Sequence, residues 1–129
     1  MAGKRVLSVG QCGADHGGIT RALWQAFGAE VVAAHGADEA LQALRHGEYA
    51  LVLVNRVLDA DGSPGVDVVR AVKGEDALRR VPVMLVSNYQ DAQDEAVQAG
   101  AQPGFGKAAL GQPAMLARLR DVLGPAPEV

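Results

Sequence analysis

Two periods alternate along the chain. Short apolar runs of strand length occur at 5–9 (RVLSV), 30–34 (EVVAA), 49–54 (YALVLV) and 81–86 (VPVMLV). Between them, apolar residues recur at helical spacing. Ile19, Leu23, Ala26 and Phe27 share one face, as do Ala40, Leu41 and Leu44. This predicts helices over 19–27 and 37–45, stopped by Gly28 and Gly47. Further helices are predicted over 66–72, after Pro64 and Gly65, and over 91–99, stopped by Gly100. A last one starts at Pro113, where Met115, Leu116, Leu119, Val122 and Leu123 form one stripe. Residues 101–106 read as a fifth strand, weakened by Pro103, Gly104 and Gly106. A glycine-rich loop, 10–18 (GQCGADHGG), joins the first strand to the first helix.

The runs at 49–54 and 81–86 are apolar on both faces, the pattern of a parallel sheet covered on both sides. Pro82 belongs near its strand's start, where a missing donor is tolerated. Strand and helix alternate five times. Right-handed crossovers then predict an α/β three-layer sandwich, with a five-stranded parallel sheet of flavodoxin-like order 2-1-3-4-5. In such sheets the site lies beyond the carboxyl ends of the strands, at the switch between strands one and three. That rule collects Gly10, Gln11, Asn55, Ser87 and Lys107. Residues 1–124 are expected to form the domain and 125–129 a flexible tail.

Composition narrows the function. The chain has 129 residues, 49% hydrophobic but only 4% aromatic, so aliphatic side chains must fill the core. A formal net charge of -3, with basic residues scattered apart from Arg79 and Arg80, leaves no footprint for nucleic acid or an anionic membrane. Cys12 is the single cysteine, which rules out an intramolecular disulfide and fits a reducing cytosol. No run approaches the roughly 20 apolar residues of a membrane span. A cytoplasmic location is expected.

The stretches KRVLSV, YALVLVNRVL, GVDVVRAVK, RRVPVMLVSN and EAVQAGAQPGFGK together resemble the receiver domains of two-component response regulators (CheY-like), from Lys4 to about Leu123. The resemblance implies a pair of acidic metal ligands after strand one, a phospho-accepting aspartate after strand three, a Ser or Thr after strand four and a lysine after strand five. Here those positions hold Gly10 and Gln11, Asn55, Ser87 and Lys107. Ala108 replaces the usual proline after the lysine, and Gly104 the usual aromatic three residues before it; Phe105 should point to the other side of the strand. Short insertions are suggested at 13–18 and 59–64.

Aspartyl phosphorylation needs a carboxylate nucleophile and a divalent cation. Magnesium is held largely by carboxylates, and none of the three expected carboxylates is present. The expectation is a degenerate pseudo-receiver: no enzyme, no cofactor, no metal, acting by protein contact. An amide at 55 fits the carboxylate's place and both donates and accepts. Lys107, lacking an anion there, is expected to turn to solvent or pair with Asp59 or Asp61. Asp15, Asp59 and Asp61 are the carboxylates available for a displaced metal site, although loop aspartates ordinarily form turns. His16 is expected to be solvated, Cys12 to be a small half-buried residue and Trp24 to pack. The partner surface is expected on the final helices and fifth strand, with a homodimer as one form. The alternative is a domain that binds a small ligand, nucleotide or cofactor through loop 10–18, although GQCGADHGG departs from G-x-G-x-x-G.

Overall fold

The strands follow the valine-rich runs and the helices follow the stripes. A computed structural model describes residues 4–124; the tail expected at 125–129 lies outside the described residues. The elements are β1 (Arg5–Val9), α1 (Gly13–Phe27), β2 (Glu30–Ala34), α2 (Ala37–His46), β3 (Leu51–Asn55), α3 (Gly65–Lys73), β4 (Val83–Val86), α4 (Gln90–Gln98), β5 (Gln102–Phe105), a 3-10 turn (Lys107–Ala109) and α5 (Pro113–Leu123). The sheet is parallel with order β2-β1-β3-β4-β5, as expected.

Side-chain alternation along the strands builds two cores. Val6, Leu51, Leu53, Met84, Val86 and Phe105 pack with Ile19, Leu23 and Phe27 of α1 and with Met115, Leu119 and Leu123 of α5. Leu7, Val9, Val52, Val54, Val83 and Leu85 face the other way, onto α2, α3 and α4. The central strands are therefore apolar on both faces, and aliphatic burial supplies the main driving force. Phe105 is buried on the α1 and α5 side, across the strand from Gly104.

Two strands start later than the patterns suggest. Tyr49 and Ala50 precede β3, and Val81 and Pro82 precede β4. Pro82 lacks a donor, but its carbonyl accepts from Val52 N at 2.9 Å. The larger departure is at α1, which starts at Gly13 rather than Ile19, so most of the expected loop 10–18 is helix. Cys12 caps it: the backbone there is extended and Sγ accepts from Asp15 N at 3.5 Å, a weak cap. His16 N donates to Cys12 O at 2.8 Å and opens the ladder. Burial of Ile19, Leu23 and Phe27 carries the helix through glycines that disfavour it by about 1 kcal/mol each. Trp24, expected to pack, is 64% exposed. It follows Leu23 by one residue, so a helical turn of about 100° carries it off the buried face.

Candidate functional site

The carboxyl edge of the sheet brings together the ends of β1, β3, β4 and β5, and with them Gly10, Asn55, Ser87 and Lys107. Asn55, Ser87, Lys107, Arg56 and Tyr89 border a cleft of about 300 Å³. The β1 corner of this edge is filled. Gly10 has φ +73°, a left-handed conformation that disfavours any side chain. A Cβ there would also collide with Leu58. The Gly10 carbonyl accepts from Asn55 Nδ2 at 3.1 Å and from Asp59 N at 3.0 Å. Asn55 thus clips β3 to the loop after β1, a bond that a carboxylate could not donate.

The loop that delivers Leu58 is a small hairpin. Leu58 N donates to Ser63 O at 2.9 Å, and Val57 bridges Pro64. Asp61 accepts from both the backbone and the hydroxyl of Ser63, which pulls its pKa below the usual value. It is a turn former, as loop aspartates generally are.

Lys107 is exposed, as one expectation had it, but it is also paired, and its partner is neither Asp59 nor Asp61. Its Nζ lies 2.6 Å from Asp15 Oδ2, a carboxylate in the first turn of α1. The bond to Lys107 holds the Asp15 carboxyl below its ordinary value, against a smaller opposing effect of burial. The edge is therefore not wholly free of anions: one carboxylate stands there, supplied by α1 and already neutralised by the lysine. Asp15, Asp59 and Asp61 do not come together, and no cluster of three or more His, Cys, Asp or Glu suited to a metal occurs among the described residues.

Ser87 is buried, and its Oγ accepts from Tyr89 N at 3.1 Å. Gln11 carries both side-chain polar atoms buried without a partner among the described residues, and so does His16 at Nδ1. His16, expected to be solvated, is half-buried because α1 begins three residues before it. Cys12 is half-buried, as expected.

These donors do not fit a magnesium ion. Gln11 and Asn55 are neutral amides, and the Gly10 carbonyl already has two donors. A hard, strongly hydrated cation is ordinarily held by carboxylates.

The β5 side holds the arrangement that the sequence did not reveal. Gln93 of α4 inserts its amide between β4 and β5. Its Nε2 donates to Leu85 O at 2.8 Å and to Ser87 O at 3.1 Å, while Oε1 accepts from Gly104 N at 3.0 Å. The β4–β5 register shifts at this point. A Cβ on residue 104 would collide with the Leu85 carbonyl, so the missing aromatic and the inserted amide belong to one solution. Asn88 Oδ1 accepts from Ala108 N at 3.2 Å, and Arg118 donates to Gly104 O at 3.0 Å. Together these bonds tie α4, β5 and α5 into one unit.

The fold is that of receiver domains, with a cleft at the carboxyl edge of the sheet. The resemblance to response regulator receiver domains stands in comparison with known proteins, although no family model matches the chain. Over 107 residues the chain is 30% identical to the sensory/regulatory protein RpfC of Xanthomonas campestris pv. campestris (strain 8004), a match covering 81% of this chain and 14% of that protein. The chain therefore spans a small part of that relative's length. Among solved structures, a putative response regulator from Chloroflexus aurantiacus J-10-fl matches with TM-score 0.83 at 20% identity, covering 94% of this chain and 98% of that one. The receiver domain of sensor histidine kinase PA1611 from Pseudomonas aeruginosa PAO1 matches with TM-score 0.70 at 22% identity, covering 95% of each chain. That protein's structure has a magnesium ion coordinated in its active-site cleft.

Proposed function

We propose that this chain is a pseudo-receiver: a two-component-type signalling domain that does not depend on phosphorylation, does no enzymatic chemistry and acts through protein contact. The observation that carries this is the packed β1 corner. Gly10 is left-handed under Leu58, and Asn55 donates to the Gly10 carbonyl. Where a phosphorylated receiver would place metal ligands and a nucleophile, this chain has an interior contact and a hydrogen bond. Lys107 is committed to Asp15 rather than to an incoming phosphoryl group.

The output surface is α4, β5 and α5. A groove of about 800 Å³ runs along them past Val97, Gly104, Phe105 and Arg118. Val97 is exposed there, and the Gln93 and Arg118 bonds hold the backbone beneath in one arrangement. A preorganised surface loses less entropy on binding. A second copy of the chain is one occupant consistent with this face. No described helix is long and apolar enough to cross a membrane, and a cytoplasmic location suits a contact module of this kind.

The test is incubation with acetyl phosphate and magnesium, followed by intact-mass measurement, with beryllofluoride as a second probe. No added phosphoryl mass and no thermal shift is the expected result. A stoichiometric phosphoryl adduct would overturn the proposal.

The rival reading, a ligand or nucleotide bound by loop 10–18, has less support. Residues 13–18 are helical, and the His16 amide is spent on Cys12 O.

A further inference from the structure

A second groove lies on the other side of α4. Residues 56–66 and α4 enclose about 500 Å³, floored by Val66 and Leu85 and flanked by Val57 and Pro64. Four large apolar side chains are exposed among the described residues, and two of them border this groove: Val57 at 39% and Tyr89 at 59%. Its α4 wall is acidic. Asp91 and Glu95 line it, α4 carries no lysine or arginine, and neither acid joins an ion pair among the described residues. Asp59 and Asp61 are exposed on the opposite loop, outside the groove's lining. Among the residues lining the groove, Arg56 is the one cation, and its guanidinium lies 4.9 Å from the Tyr89 ring centroid.

We propose that this groove docks a basic segment of a partner polypeptide, with an aliphatic side chain seated on Val66 and Leu85 and flanking lysines or arginines against Asp91 and Glu95. The charge selects the occupant. An anionic membrane or a phosphate backbone would meet like charge here. A second copy has its paired Arg79 and Arg80 before β4, at the opposite edge of the sheet. Such a contact would set the carboxyl edge of one copy against the amino edge of the other. Arg56, stacked on Tyr89, leaves both acids free and extends the flat rim that an extended backbone could follow.

This surface is separate from the output face. Helix α4 presents Asp91, Ala92 and Glu95 to one groove and Gln93, Asp94 and Val97 to the other. The domain can therefore hold two partners at once, one on each side of α4, which suits a phosphorylation-independent adaptor better than a switch.

The probe is a short synthetic peptide of lysines and glycines around one central leucine, titrated into the isotope-labelled chain at low and at physiological salt. A control peptide replaces the leucine with glycine. The expected result is saturable chemical-shift change centred on Val57, Tyr89, Asp91, Ala92 and Glu95, weakened by salt. Loss of the leucine should weaken binding about tenfold, as should the double change Asp91→Asn with Glu95→Gln. Both substitutions are at exposed sites, and unchanged circular dichroism verifies the fold. Shifts scattered over the surface, or equal affinity for the glycine peptide or the double variant, would overturn the proposal. Concentration-dependent self-association in sedimentation that the double variant abolishes would also overturn it, by assigning the groove to a second copy.

Discussion

Asn55→Asp exchanges a donor for an acceptor at an atom 3.1 Å from the Gly10 carbonyl. The ionised side chain would point oxygen at oxygen, lone pair to lone pair. Gly10 O keeps the Asp59 amide, so it is not orphaned. The cost is the lost hydrogen bond together with the desolvation of a half-buried carboxylate, about 1–3 kcal/mol. Lys107 borders the same cleft, but its ammonium is held by Asp15 and offsets only part of this. Urea denaturation should therefore show a lower midpoint with an unchanged slope. The effect carries its own pH signature. The introduced carboxyl is harder to ionise in the folded chain than in the unfolded one, so its folded pKa is raised. The penalty is then complete above the folded pKa and relieved as pH falls towards the unfolded value of about 3.9, because the neutral acid can donate to Gly10 as the amide does. The stability difference between parent and variant should shrink from pH 7 to pH 4. A variant as stable as the parent at pH 7, or a gap that widens on acidification, would refute the clip between Asn55 and Gly10.

Other perturbations probe the same design. Gly10→Ala places a Cβ against Leu58 at positive φ and should lose at least about 2 kcal/mol, read by thermal or urea unfolding. Gln93→Ala leaves the Gly104 amide and the Leu85 carbonyl without the bonds they now make. A loss of about 1–3 kcal/mol is expected, with faster hydrogen exchange at Gly104 as the specific readout. Asp15→Asn removes the partner of Lys107. Because the Asp15 carboxyl is held below its ordinary value of 3.8, its contribution is present above that value and lost as pH falls through the lower folded one. The pair is partly exposed, so at most about 1 kcal/mol is expected at neutral pH, vanishing at strongly acidic pH.

The fold was legible because its two periods are clean: the runs at 49–54 and 81–86 are unbroken and apolar, those at 5–9 and 30–34 are mostly apolar, and the helices that cover them carry clear stripes. The start of α1 was not, because three glycines between 13 and 18 argue locally for a loop, whereas packing of Ile19, Leu23 and Phe27 decides the matter globally. Site positions were legible from topology: Asn55, Ser87 and Lys107 border one cleft, and Gly10 joins them through the Asn55 bond. Their partners were not. Asp15 meets Lys107 across 92 positions of chain (107 minus 15), and spacing carries no trace of such a pair. The role of Gln93 had one faint sign, since a side chain missing at Gly104 leaves room that some other group must fill.

On the pseudo-receiver reading, the edge between β1 and β3 holds no divalent cation. Magnesium titration of the unmodified chain, followed through the backbone amides of Gly10, Gln11 and Asn55 with calorimetry in parallel, tests it most directly. The expected result is no saturable shift at those amides and no binding heat. Saturable binding centred on them would contradict it.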